Sequence, residues 1–276
     1  MLGVLVAILA AAIVASLTID LGPSLRKRAE EEGSKYLDRP MRMGKLGIRL
    51  SRGAFVVEDL VIEGLKPTDR PFLKAKRIFI NLPWWTVFTR ELIVENVDMS
   101  DWEMLVEQFP GKHSFPRVQG PPRTGPKKPP RFNLKTTVRS VIARNGRFIY
   151  DDHTIPWLVV CNNLDVSVFK GWDTYRGTAQ FRDGTIKIQA YDQFRADMQT
   201  RFKIDAAEGK VLLEHINLES TGASSEITGY VDIKRWPEMV YNVKSRVDFP
   251  VQKAIFFKDM NFTVAGHGDF QGVFKF

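Results

Sequence analysis

The run Met198-Gln199-Thr200-Arg201-Phe202-Lys203-Ile204 decides the fold. Met198, Phe202 and Ile204 share one parity, while Gln199, Arg201 and Lys203 hold the other. Side chains of an extended strand point alternately to its two faces, so this period of two describes a strand with one dry and one wet face. The same pattern continues C-terminally. Met239, Tyr241, Val243, Val247 and Phe249 alternate with Asn242, Lys244, Arg246 and Asp248. Phe262, Val264, Phe270, Phe274 and Phe276 alternate with Thr263, His267, Asp269 and Lys275.

Working towards the N-terminus, strands are expected over Ala54 to Ile62, Lys74 to Leu82, Glu91 to Met99, Val138 to Tyr150 and Leu158 to Val168. Further strands are expected over Tyr175 to Phe181, Thr185 to Tyr191, Val211 to Leu218 and Ser225 to Ile233. Arg182-Asp183-Gly184 and Ala206 to Gly209 carry the Asp and Gly of tight hairpins, so neighbouring strands read as antiparallel. After Gly44 no strand–helix–strand alternation is evident, which disfavours a parallel sheet. The expectation is a mainly β chain, a long antiparallel meander.

Such a meander must cover its apolar face. It can close into a barrel or sandwich filled by its own side chains, or curl into an open groove lined by apolar residues. Periodicity alone leaves both open. For the groove, the lining residues are Met198, Phe202, Ile204, Met239, Tyr241, Val243, Val247, Phe249, Phe262, Val264, Phe270 and Phe274. Acyl chains suit such a wall, because burying each methylene is worth about 0.8 kcal/mol.

The N-terminus reads differently. Met1 to Ile19 carries no charged side chain, and 19 residues at about 1.5 Å each reach about 28 Å, close to the thickness of a bilayer core. No Lys or Arg precedes the apolar run, which argues for a retained anchor over a cleaved signal peptide. Arg26, Lys27 and Arg28 follow the span and favour a cytoplasmic body, but Glu30, Glu31 and Glu32 come next, and local charge does not settle the orientation. Residues 20–40 read as a short connecting helix ended by Pro40, followed by a first β block over 41–109. Residues 110–130 read as a mobile Pro-rich loop with seven of the fifteen prolines and five basic residues, followed by a second β block over 131–276. Trp84 and Trp85, between two strand candidates, are the candidate membrane-interface anchors.

The formal charge is +8, but five of those positives fall in the Pro-rich stretch, leaving +3 elsewhere and no basic face for nucleic acid. One cysteine, Cys161, excludes an intramolecular disulfide framework and multi-cysteine metal sites. His113, His153, His215 and His267 show no metal-binding helical spacing, and Asp151-Asp152-His153 reads as a turn. Ser224 lacks the nucleophile-elbow context, and Gly266, Gly268 and Gly272 miss the dinucleotide spacing. No catalytic residue, cofactor or metal is expected.

Several blocks resemble a known family. Gly47-Ile48-Arg49-Leu50 with Gly53-Ala54-Phe55-Val56-Val57-Glu58-Asp59-Leu60-Val61-Ile62-Glu63-Gly64 is similar to the opening of AsmA-like proteins of the TamB translocation and assembly type. Phe72 to Ile78, Leu82-Pro83-Trp84-Trp85, Leu92 to Val97 and Arg144 to Asp152 resemble later blocks. The resemblance implies a single-pass inner-membrane anchor, a periplasmic body and a β-groove of the bridge-like lipid-transfer class. It also implies phospholipid as ligand, an outer-membrane barrel as assembly partner, and no catalytic residues. On this reading the chain is the N-terminal piece of a longer polypeptide. The competing reading is a self-filled β-sandwich that serves as a structural or interaction module at the cell envelope.

Overall fold

A computed structural model of the chain describes residues 18–20, 22–49, 53–66, 68–83, 91–115, 135–235 and 238–275. Trp84, Trp85 and most of the expected anchor, residues 1–17, lie outside them. Among the described residues no helix is long and apolar enough to cross a membrane. The fold is mainly β, and it divides into two compact units, residues 1–105 with 114–142, and residues 106–113 with 143–276.

The first unit opens with β1 (Thr18–Asp20) and α1 (Pro23–Leu37). Thr18 and Ile19, expected at the end of the anchor, instead pair with Arg49 and Ile48 of β3 (Lys45–Arg49). α1 starts with Pro23, whose missing amide costs nothing in a first turn, and stops at Asp38 in the left-handed region (φ 55°). Its side chains hold the next segment: Met43 N donates to Glu30 Oε1 (2.8 Å), and Met41 N donates to Ser34 Oγ (2.8 Å).

β2 (Met41–Arg42) and β3 pair one after the other along one edge of β4 (Ala54–Ile62), whose other edge continues to β5 (Leu73–Asn81) and the first part of β7 (Asn96–Phe109). All these ladders are antiparallel. The expected strand from Glu91 to Met99 is broken at Glu95 into β6 (Glu91–Val94) and β7. β6 pairs in parallel with β9 (Lys135–Val138), a departure from the antiparallel expectation. Ala54, Val56, Leu60, Ile62, Phe72, Ala75, Trp102 and Leu105 form this unit's core.

In the second unit the end of β7 forms a hairpin with β8 (Lys112–His113) around Pro110-Gly111, Gly111 taking φ +70°. The Pro-rich segment therefore keeps its ladder for a few residues longer than its prolines suggest. β10 (Ser140–Asp152) begins in the first unit and runs into the second. There, β11 (Trp157–Lys170), β12 (Tyr175–Ile188), β13 (Phe194–Asp205), β14 (Lys210–Ser220), β15 (Ala223–Asp232), β16 (Met239–Asp248) and β17 (His267–Lys275) follow in sequence order. β10 and β17 do not pair with each other, so the described strands of this unit do not close into a barrel.

Two local readings are corrected here. Arg182-Asp183-Gly184 is a β-bulge inside β12, and Thr185 belongs to the same strand as Phe181. Asp183 takes φ +57°, Asn163 +49° on β11 and Asn145 +52° on β10, so neighbouring strands kink within a few residues of one another. Side chains satisfy the backbone groups that the bulges displace: Asp183 N donates to Asp197 Oδ1 (2.7 Å), Asn162 Nδ2 to Asp183 O (2.9 Å) and Asn145 N to Asp165 Oδ1 (3.0 Å).

The second correction concerns Phe249, Phe262 and Val264. None lies on a strand. β16 ends at Asp248, whose side chain accepts from Val251 N (3.1 Å) and caps α2 (Phe249–Phe256). Pro250 lacks the amide that a ladder requires and fits the first helical turn. Residues 257–266, with Phe262 and Val264, return irregularly to Gly266 (φ +85°) before β17 begins.

Candidate functional site

Residues directly opposite each other in an antiparallel ladder share a face of the sheet. Walking across the second unit by this rule assembles five transverse rows. Tyr175, Ile204, Val211, Val231 and Met239 form the first, and Gly177, Phe202, Leu213, Gly229, Tyr241 and Phe274 the second. The third is Ala179, Thr200, Ile216, Ile227, Val243 and Gly272, and the fourth Phe181, Met198, Leu218, Ser225, Ser245 and Phe270. Gly184, Ala196, Ser220, Ala223, Val247 and Gly268 make the fifth. These rows contain no charged residue. Their polar members are small hydroxyls and two tyrosines, Tyr175 and Tyr241, and Ser225 and Ser245 satisfy each other at 2.7 Å.

The opposite face reverses the composition. Gln180, Gln199, Asn217, Glu226, Lys244 and Gln271 form one of its rows, and Asp197, Glu219, Ser224, Arg246 and Asp269 another. Two shallow recesses lie on this side, one walled mainly by Asp165, Ser167, Gln199, Arg201, His215 and Asn217, the other by Glu226, Lys244, Arg246, Asp269 and Gln271. Both are open and mostly polar, unlike the apolar face.

Nine of the twelve expected lining residues lie on the apolar face: Met198, Phe202, Ile204, Met239, Tyr241, Val243, Val247, Phe270 and Phe274. Its cover is uneven. Phe181 and Ala196, 4% and 2% exposed, are sealed, while Phe270 and Phe274 keep 47% and 44% of their surface accessible. The other seven expected residues on β13 and β16 are half-buried. A self-filled sandwich would bury these positions to the level of Phe181.

Glycines add to the openness. A Cβ at Gly177 would lie 2.4 Å from the Phe202 ring, one at Gly184 2.5 Å from the Phe181 ring, and one at Gly272 2.9 Å from the Phe270 ring. These rings lie down over glycine backbone instead of standing up from the sheet, which leaves the lining thin.

α2 bounds this face along one margin. Phe249 lies over Gly268, and a Cβ there would be 2.4 Å from its ring. Val251 sits on Gly222, and Gln252 Nε2 donates to Thr221 O (2.9 Å). The Phe256 ring meets Tyr191 (5.1 Å) and Phe194 (6.0 Å), while Lys258 Nζ reaches both carboxylate oxygens of Asp192 at 3.0 Å. Alternation had assigned Phe249 to a strand; the Asp248-Phe249-Pro250 start signal for the helix was present in the sequence.

The residues weighed for chemistry are accounted for locally. Burial pushes the Cys161 thiol up to about 12, which keeps it protonated and inert. Asp152 closes the turn after β10 by accepting from Thr154 N (2.8 Å). His153 stacks on Phe109 (4.5 Å between ring centres), with Nε2 3.4 Å from Glu107 and 3.9 Å from Asp151. These three groups could share a cation, but the same contacts serve as ordinary polar contacts at a turn.

No protein-family model, curated protein or solved structure matches the chain.

Proposed function

We propose that this chain is a non-enzymatic lipid-transfer or envelope-assembly protein that shields phospholipid acyl chains against the apolar face of its second unit. The observation that carries the proposal is the set of five uncharged rows across β12–β16, incompletely covered by the protein's own side chains. Half-covering a sixteen-carbon tail on such a wall is worth roughly 6 kcal/mol at about 0.8 kcal/mol per fully buried methylene. The polar face keeps the outside of the same sheet wet.

The resemblance to AsmA-like proteins of the TamB type supports placing the body in the periplasm, tethered by the apolar N-terminal segment to the inner membrane. It also supports an outer-membrane barrel as assembly partner. The uncharged rows themselves support the β-groove reading, which treats this sheet as an open trough.

The test is direct. The purified full chain should release phospholipid into organic solvent, and photo-crosslinkers at Phe202 and Val243 should capture it, while those at Arg201 and Lys244 should not. Capture confined to the polar positions, or a lipid-free protein, ends the proposal. A second reading, an envelope interaction module, draws on β17. It is the outer strand of its ladder, with Phe270, Val273 and Phe274 exposed, and such an edge suits pairing with another polypeptide.

A further inference from the structure

Building on the lipid-carrier reading, we infer that α2 is a stop for acyl tails laid along the strands, so that Phe256 and its neighbours select tail length. The helix lies across the strand ends. Its first residue covers Gly268 of β17, Val251 and Gln252 of its first turn sit on the Thr221-Gly222 turn between β14 and β15, and its last residue meets Tyr191 and Phe194 at the start of β13. Eight residues give about 12 Å of helix. Its contacts run from β17 to β13, four strand spacings or roughly 19 Å, which the helix spans with the added reach of the Phe249 and Phe256 rings at its two ends. A tail running along β13 to β16 therefore meets α2 broadside.

The contacts at this margin are apolar on the inner side. Phe249, Phe256 and Phe194 present rings or ring edges, and Ile255 is buried beneath the helix at 8% exposure. The Asp248 cap, the Gln252 hydrogen bond and the Lys258–Asp192 ion pair hold the helix in place from outside the apolar rows. The opposite margin has no helix among the described residues. Its turns carry Lys170, Asp173, Glu208 and Lys234, a polar setting for a charged headgroup. The ligand class is thus a lipid with an ionic head at that margin and a methyl terminus towards α2.

The dimensions agree. From Met239 to Ser245, the part of β16 short of the helix, six steps between seven residues at about 3.3 Å each give roughly 20 Å. One leaflet of a bilayer allots a tail about 15 Å, half of its roughly 30 Å core, and a fully extended tail is longer. A long-chain tail therefore fills this lane nearly to the helix, and one more turn of chain would collide with it.

Two variants of the full-length protein move the stop in opposite directions. Phe256→Ala removes the ring between Tyr191 and Phe194, and Ala223→Phe adds one in the row next to the helix. Mass spectrometry of the co-purifying lipid should show the mean tail lengthened by about two carbons in F256A and shortened by about two in A223F. Opposite shifts support the stop, because loss of folding would not produce them. Lipid bound at wild-type tail lengths by both variants overturns the stop and leaves the carrier reading standing. A wild-type protein that carries no lipid overturns both.

Discussion

The ring of Phe202 lies against the Cα of Gly177 on the neighbouring strand, so close that a methyl group there would come within 2.4 Å of it. Gly177→Ala should destabilise the protein by about 1–3 kcal/mol through overpacking, read as a drop in the denaturant midpoint. In a Phe202→Ala background part of that cost should vanish, leaving the 2.9 Å approach to Ser167 O. Equal costs in the two backgrounds would show that the ring is not the obstacle.

Asp183 should behave as a bulge residue. With φ at +57°, Asp183→Ala should cost about 1–2 kcal/mol from left-handed backbone strain, and Asp183→Gly should recover most of it. The Arg195 ion pair is exposed and contributes little, so a glycine variant as damaged as the alanine one would contradict this assignment.

Stability should fall at alkaline pH. Burial raises the Cys161 thiol from about 9 to about 12, and burial reinforced by Asp152 raises the Tyr150 phenol from 10 to about 12. Both groups hold their protons longer in the folded chain, so their contribution is complete below pH 9 and is lost as pH rises towards 12. The thermal midpoint of the wild type should decline over that window, and less steeply in Cys161→Ala. A thiol reagent at pH 8 should label Cys161 only after unfolding, and rapid labelling of the folded protein would refute its burial.

Asp248→Ala removes the cap from α2 and should cost about 1 kcal/mol. Because the helix stands apart from the strand ladders, the loss should appear as faster amide exchange over residues 249–266 with β13–β16 unchanged. Uniform acceleration across the sheet would mean that the helix and sheet open together.

Charge on the apolar face should abolish lipid binding. Val243→Asp places a carboxylate among Ile227, Gly272 and the neighbouring rows, whereas Lys244→Asp changes only the wet face. Extracted lipid should fall at least tenfold in the first variant and stay near wild type in the second.

The strands were legible because one parity is apolar and the other polar, as Met198 to Ile204 and Met239 to Asp248 show. That same rule hid α2. Phe249 continues the parity of Val247, and only the Asp248 cap and Pro250 mark the change of backbone. Arg182-Asp183-Gly184 misled for a related reason, since Asp and Gly supply the left-handed conformation that turns and bulges both need. What decides between them is whether partners continue on both sides, and Val159 with Ile186 and Asp165 with Gln180 keep one register on either side of the bulge. The bare side of the sheet could be assigned from parity, but its incomplete cover could not, because exposure of Phe270 and Phe274 depends on what packs above them.

The bulge at Asp183 has an outcome for how β12 tolerates change. It works as a phase marker: before it, odd-numbered residues face the dry side, and after it Gly184, Ile186 and the rest of their parity do. Losing a single amino acid there would only remove the bulge and keep Gly184 and Ile186 on the dry side, while removing two would turn the end of the strand inside out, presenting Lys187 where Ile186 belongs. Length variation in this strand is therefore quantised, in the way that a reading frame is.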